Sequence, residues 1–162
     1  KQNIKSWQKN IGYVPQSIFL CEGTLKENIA FGIDHKNIDN KLIEKAINLA
    51  DLSDFVSTLP KNVDTKLGER GVQLSGGQQQ RVGIARALYH DPNILIFDEA
   101  TSSLDENSEK NIMKAIDKFS RLKTIIIIAH RTNTLKKCDN IFIIDHGSVV
   151  NEGNFKSLFE KR

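Results

Sequence analysis

Two short stretches of this chain, residues 94–97 (Ile-Leu-Ile-Phe) and 125–128 (four isoleucines), are apolar at every position rather than at every second one. A strand with one wet face would alternate, so this pattern predicts parallel strands covered on both faces. Between them Ile112, Met113, Ile116 and Phe119 recur at helical spacing, and residues 94–128 read as a strand, helix, strand unit with a right-handed crossover. Upstream, residues 11–15 predict a short strand that ends at Pro15, which has no amide to donate, and Gln16 then falls on a loop. Thr24-x-x-Glu27 has the form of a capping box and opens a short helix with Leu25 and Ile29 on one face. From about Asn40, Ile43, Ala46, Ile47 and Ala50 mark another helix. Residues 60–71 are polar and turn-rich; after them Val82, Ala85 and Tyr89 mark a further helix, stopped by Asp91-Pro92. Residues 141–144, a turn at Asp145-His146-Gly147, and Val149-Val150 read as a hairpin.

Composition narrows the class. At 162 residues, 39% hydrophobic and 27% charged, the chain suits one α/β domain with a core of useful size. Its longest unbroken apolar stretch, residues 125–129, is far short of the roughly 20 residues that a membrane-spanning helix needs. Net charge is +3 with both signs mixed along the chain, which argues against a nucleic-acid partner. Cys21 and Cys138 are distant in sequence and have no C-x-x-C neighbour, so they read as reduced thiols rather than metal ligands. The chain starts at Lys1 and has Met113 as its only methionine, from which we expect a piece of a longer protein.

Candidate chemistry is concentrated at three places. In Leu74-Ser75-Gly76-Gly77-Gln78, Ser75 is suited to cap the helix that follows, while Gly76 and Gly77 let backbone approach an anion closely. Amide donors and the positive end of the helix dipole then converge on one spot suited to a phosphate. Asp98 and Glu99 stand at the carboxyl end of the 94–97 strand, where open α/β sheets bind their ligands. Adjacent residues at a strand end point in different directions, so one carboxylate can hold Mg²⁺, mostly through water, while the other polarises an attacking water. His130 follows the 125–128 strand and is expected at the same sheet edge, placed to donate to a transferred phosphate. These features point to nucleoside-triphosphate chemistry shared between two molecules. No G-x-x-x-x-G-K-[ST] loop occurs in these residues.

In that order, the motifs resemble the C-terminal part of the ATPase domain of ATP-binding cassette (ABC) transporters of the exporter type, over almost all 162 residues. Gln16 is similar to the Q-loop glutamine, Leu74 to Gln78 to the signature motif, and 94–98 to the Walker B strand ending in Asp98. Glu99 is similar to the catalytic glutamate, Ser103-Leu104-Asp105 to the D-loop and His130 to the switch histidine. Gly68-Glu69-Arg70-Gly71 resembles the exporter loop that touches the coupling helices of the membrane domain. The resemblance implies a RecA-like P-loop NTPase fold: a parallel sheet, incomplete because the P-loop strand is missing, with a helical subdomain carrying the signature motif. It divides the chain into a Q-loop region (1–20), a helical subdomain ending in the signature motif and its helix (21–90) and a RecA-like α/β part (91–162).

The resemblance further implies ATP and Mg²⁺ as cofactors and a second ATPase domain facing the first head to tail. Leu74, Ser75, Gly76, Gly77, Gln78 and Asp105 are then cofactor-binding, the signature residues contacting ATP bound by the opposite subunit. Glu99, His130 and Gln16 are catalytic, and Asp98 with Gln16 serves the metal. The remaining implied partner is a transmembrane domain, reached through its coupling helices at the cytoplasmic face of the membrane. Departures are the absent Walker A loop with its lysine and Ser/Thr, the absent adenine-stacking aromatic, Cys21 where relatives often carry a polar residue, and Thr132-Asn133 where Leu-Ser is common. We therefore expect the 162-residue chain alone to be marginally stable, with its strands partly uncovered, and inactive. Two other classes carry parts of the pattern. One is the chromosome-maintenance or DNA-repair ATPase, disfavoured by the lack of long heptads; the other is a non-enzymatic piece that completes another chain's site.

Overall fold

The computed structural model describes residues 4–68, 71–102 and 104–160. The chain divides into two units, Lys1–Ile128 and Ala129–Arg162. The first runs α1 (Ile4–Gln8), β1 (Ile11–Val14), β2 (Gly23–Thr24), α2 (Leu25–Ile29), α3 (Asn40–Leu49), α4 (Ser53–Thr58), β3 (Lys66–Leu67), α5 (Gly76–Leu88), β4 (Ile94–Asp98), α6 (Glu106–Ser120) and β5 (Thr124–Ile128). The second holds a 3-10 turn at Thr132–Lys137, the antiparallel pair β6 (Ile141–Asp145) and β7 (Ser148–Gly153), and α7 (Phe155–Phe159). Strands β1, β4 and β5, the capping box at Thr24 and the β6–β7 hairpin fall where the sequence pattern put them. The α4 helix and the short β2–β3 ladder do not show in it, because each is too brief to display a period.

In the first unit β4 lies between β1 and β5 in a three-stranded parallel sheet, and α6 makes the crossover from β4 to β5. Burial alternates along β4: Leu95 and Phe97 join Val14, Val82, Ile84, Ile112, Ile116 and Phe119 in one apolar cluster, while Ile94 and Ile96 are half-buried. The opposite face is open, with Tyr13, Ile126 and Ile128 respectively 53%, 47% and 48% exposed. The expectation of strands covered on both faces is thus corrected to cover on one. The buried cluster joins α5 and α6 to the Val14, Leu95 and Phe97 face, and among the described residues of the first unit nothing apolar of that size covers the other.

Helix α5 is the centre of this unit, packing against β1, α2, α3 and α6. Its middle, Val82 to Ala85, is wholly buried. Two glycines permit that closeness. A Cβ on Gly12 of β1 would come 2.6 Å from the Ala87 carbonyl oxygen of α5, and one on Gly83 would overlap Ile18, just past Gln16. The segment after Gln16 is held from the other side as well. Arg86 of α5 donates to the Phe19 carbonyl (3.0 Å) and to the Asn28 carbonyl (2.8 Å), and the buried Asn28 exchanges hydrogen bonds with the Cys21 backbone. Both backbone positions flanking the Gln16 loop are therefore referenced to α5.

Two aspartates at the ends of helices α3 and α5 tie this packing together. Asp51 and Asp91 both adopt the left-handed conformation, φ 58° and 50°, a region in which Asp and Asn are the tolerated non-glycine residues. Asp51 accepts from Arg81 of α5 at 3.1 Å and from Lys118 of α6 at 3.0 Å. Asp91 accepts from Lys45 of α3 and from Lys123 beside β5, both at 2.7 Å, and the Lys123 side chain is only 8% exposed. Hydrogen bonds from Lys123 and then Lys45 hold the Asp91 carboxyl below its ordinary range, as the bond from Lys118 does for Asp51.

A depressed carboxyl pKa contributes stability that is full above the unfolded value, about pH 4, and is lost as pH falls through the folded value below it. Asp91→Asn keeps the left-handed backbone but removes both ion pairs, and with the carboxylate half-exposed the loss at pH 7 is about 1 kcal/mol. The expected result in urea unfolding is a lower midpoint at neutral pH and a shallower fall in stability below pH 4 than the unsubstituted chain shows. Gly83→Val is expected to cost more, about 1–3 kcal/mol from overpacking against Ile18, read by the same measurement.

Candidate active site

The register of the sheet builds the acidic end of the site. Because β1 runs parallel to β4 with Val14 opposite Phe97, the chain leaves both strands at the same edge, and Pro15-Gln16 emerges beside Asp98-Glu99. Asp98 is the last residue of β4, paired with Ile128. Glu99 then turns out of the strand in a left-handed conformation, φ 48°, pinned by its amide, which donates to the Ile128 carbonyl at 2.9 Å. Such a backbone costs roughly 1 kcal/mol or more for a non-glycine residue, and its effect is to separate two adjacent carboxylates.

Each carboxylate meets a different donor. The Tyr13 hydroxyl donates to Asp98 Oδ2 at 2.7 Å, and Gln16 Nε2 donates to Glu99 Oε2 at 3.1 Å and to Ser102 Oγ at 3.2 Å. Donation to Asp98 pushes the Tyr13 phenol above its ordinary pKa. Of the residues marked out in the sequence, Gln16, Asp98 and Glu99 thus come together at one edge. His130 stands two residues past the end of β5, in the second unit.

The pentapeptide Leu74 to Gln78 that the sequence marked out lies at the start of α5. Ser75 is the N-cap, exposed and extended (φ −65°, ψ 160°), and it forms a reciprocal box with Gln78: Ser75 Oγ accepts from the Gln78 amide at 3.3 Å, and Gln78 Oε1 accepts from the Ser75 amide at 2.9 Å. The box consumes those two donors and leaves the first-turn amides of Gly76 and Gly77 for an outside acceptor at the positive end of a 13-residue helix. Leu74 is buried beneath. A Cβ on Gly77 would meet Ser108 Oγ at 3.3 Å. Ser108 in turn donates to Asp105 Oδ2 at 2.6 Å, while Asp105 caps α6 through the amides of Asn107 and Ser108, both at 3.0 Å. These bonds, the Ser108 hydroxyl foremost, hold the Asp105 carboxyl below its ordinary range.

Ser103, Glu69 and Arg70, which the sequence also singled out, lie outside the described residues. Sequence reasoning missed Tyr13, Ser102 and Ser108 as contributors to the site, and Gln78 as the partner in the cap. The Ser-x-x-Gln spacing was a visible signal for the last; the other three depend on strand register and helix packing, which no local pattern carries. The donor set suits the groups that the motifs imply. Asp98, Glu99 and Gln16 offer hard oxygen atoms of the kind Mg²⁺ takes, one or two carboxylates with water and phosphate completing the shell. Among the described residues no group of three His, Cys, Asp or Glu side chains could hold a metal by itself.

Comparison with known proteins places this geometry. A family model described as ABC transporter matches residues 1–102. The chain is 44% identical to the ABC-type transporter MDR1 of Aureobasidium melanogenum over 160 residues, covering 99% of this chain and 12% of that protein. It is 43% identical to the heterocyst differentiation ATP-binding protein HepA of Nostoc sp. over 159 residues, covering 98% of this chain and 26% of that one. In structure it superposes on a bacterial Atm1-family ABC exporter with ATP bound, with a TM-score of 0.83 and 38% identity, over 96% of this chain and 27% of the exporter. The chain therefore spans between about an eighth and about a quarter of the length of the curated relatives named. With the α/β sheet, the capped signature helix and the acidic strand end in place, the chain belongs to the ABC transporter family, as part of an exporter-type ATPase domain.

Proposed function

We propose that these residues form the hydrolytic edge and the signature helix of a domain that binds and hydrolyses ATP between two such domains and so powers export or flipping of a substrate. The observation that carries this reading is the hydrogen bond from Gln16 to Glu99 at the carboxyl end of a parallel sheet, which unites a loop glutamine and a strand-end carboxylate in one site. Glu99 acts as general base, accepting a proton from the attacking water, and Asp98 serves the metal. Asp98 would hold Mg²⁺ with the triphosphate, where the ion would supply neutralisation of charge on the phosphate oxygens. The family resemblance assigns His130 as a donor to the transferred phosphate. Gly76 and Gly77 offer their amides, and Ser75 its hydroxyl, to the γ-phosphate held by the facing domain, with Asp105 at the interface between the two.

This division makes turnover depend on closure of the pair. The Gln16 loop, packed through Ile18 and Arg86 against α5, carries that closure toward a transmembrane domain at the cytoplasmic face of the membrane. No described helix here is long and apolar enough to cross a membrane, and the transmembrane part is supplied elsewhere in the transporter. Two of the named proteins, MDR1 and the Atm1-family exporter, are a transporter and an exporter by name, which favours this reading over chromosome maintenance.

In the full-length transporter, Glu99→Gln is expected to lower ATP turnover about a hundredfold or more while MgATP still binds, measured by phosphate release beside nucleotide binding. Unchanged turnover would remove Glu99 from the base role. The 162-residue chain by itself lacks a G-x-x-x-x-G-K-[ST] loop and is expected to give no saturable heat with MgATP in calorimetry at protein concentrations of tens of micromolar. Micromolar affinity there would contradict the requirement for a second contributor to the site.

A further inference from the structure

We infer that Tyr13 is a positioning residue for the metal-binding carboxylate: its hydroxyl, donating to Asp98 Oδ2 at 2.7 Å, fixes the rotation of that carboxylate and so sets the affinity of the site for Mg²⁺. The inference rests on the ATPase reading and deepens it. Nothing in the signature, Q-loop or Walker B patterns involves this position; in the sequence Tyr13 reads only as a strand-forming residue.

The geometry follows from the sheet. Alternate residues of a strand share a face, and the β1–β4 register sets Tyr13 opposite Ile96. Asp98, two residues on, is therefore the diagonal neighbour of Tyr13 on the same face, at a separation that a long aromatic side chain spans. A strand residue is a firm anchor. Tyr13 is flanked by the buried Gly12 and Val14, and Gly12 is pressed against the α5 backbone, so the phenol's origin moves little. Gln16, which serves Glu99, sits beyond Pro15 on a loop. One four-residue segment thus addresses both carboxylates, the metal-binding one from a strand and the basic one from the loop that follows it.

Chemically, the bond occupies one lone pair of Oδ2 and leaves Oδ1 and the second lone pair of Oδ2 to accept from metal-bound water. Bonds to ligating carboxylates orient the first shell of a metal and tune its affinity. Removing the hydroxyl leaves a carboxylate free to rotate about its terminal torsion, a broad two-fold well. The phenol is half-exposed, so its loss creates no buried cavity and no orphaned donor.

The test is Tyr13→Phe in the full-length transporter, read by competition of Mg²⁺ against Mn²⁺ bound with ATP, followed by electron paramagnetic resonance, and by phosphate release as free Mg²⁺ is varied at saturating ATP. The expected result is a weakening of divalent-cation affinity by between about threefold and tenfold. Metal-free ATP binding, measured in EDTA, and the unfolding midpoint should stay unchanged, as a purely structural role for the hydroxyl would not allow. In an Asp98→Asn background the same substitution should have no further effect on cation affinity, because the two groups act as one unit. Equal cation affinity with and without the hydroxyl, or an equal loss in both backgrounds, overturns the inference. A wild-type transporter that neither binds MgATP nor releases phosphate overturns instead the ATPase reading on which it rests.

Discussion

The parallel pairing of β1 with β4 is the constraint from which the site follows. Parallel register means that two strands distant in sequence end at one edge, and here that edge collects Tyr13, Gln16, Asp98 and Glu99. An antiparallel pairing of the same segments would carry Gln16 to the far end of β4, a strand's length from both carboxylates. What keeps the register from slipping is the β1 glycine. With Leu95 Cδ2 and the Ala87 carbonyl where they are, only a residue without a Cβ fits at Gly12, and a shift of one residue would put Tyr13 or Ile11 there and turn every β1 side chain to the opposite face.

The strained residue sits where the chemistry needs it. Glu99 leaves the sheet with φ 48°, and the hydrogen bond from its amide to Ile128 turns that strain into a fixed direction rather than a mobile end. Were residue 99 to continue the strand, pleating would send its carboxylate to the buried face beside Phe97, where an ionised group has no partner. The left-handed turn avoids that and brings the carboxylate within reach of Gln16. The same device recurs at Asp51 and Asp91, whose left-handed backbones aim a carboxylate back at two cations each. In those cases the result is rigidity between helices, and at Glu99 it is a donor-bearing loop held next to a candidate base.

How much of this was legible in the sequence depends on how far each feature reaches along the chain. The Thr24 cap, the α3 stripe of Ile43, Ala46, Ile47 and Ala50, and the β4 and β5 runs are local, and their periodicity alone located them. Four consecutive isoleucines look the same whether one face or two are covered, so the run itself misled on β5, while the open face agrees with the expectation that the strands of this chain are partly uncovered. The Asp51 and Asp91 clamps, the Gly12 and Gly83 contacts and the Tyr13 bond all join residues tens of positions apart. No window of a few residues encodes them. The candidate site residues were singled out because motif spacing stands in for three-dimensional proximity, and that is also why Tyr13, Ser102 and Ser108 escaped: they lie beside the motifs in space without belonging to them.

Helix α5 resolves an otherwise awkward requirement, that the anion-facing amides and the acidic strand end be mechanically linked although they serve different nucleotides in the proposed pair. Its first turn carries Gly76 and Gly77 outward, its middle is buried against β1 through Gly12, and Arg81 and Arg86 on its flanks hold Asp51 and the segment after Gln16. Ser108, beside which a Cβ on Gly77 would lie at 3.3 Å, donates to Asp105 at the cap of α6. A closely packed interior transmits displacement rather than absorbing it. In the proposed pair, a phosphate held at the glycine amides would therefore be joined to the strand edge through the body of α5 and its packing on β1, so both carboxylates would be referenced to the helix that faces the second nucleotide.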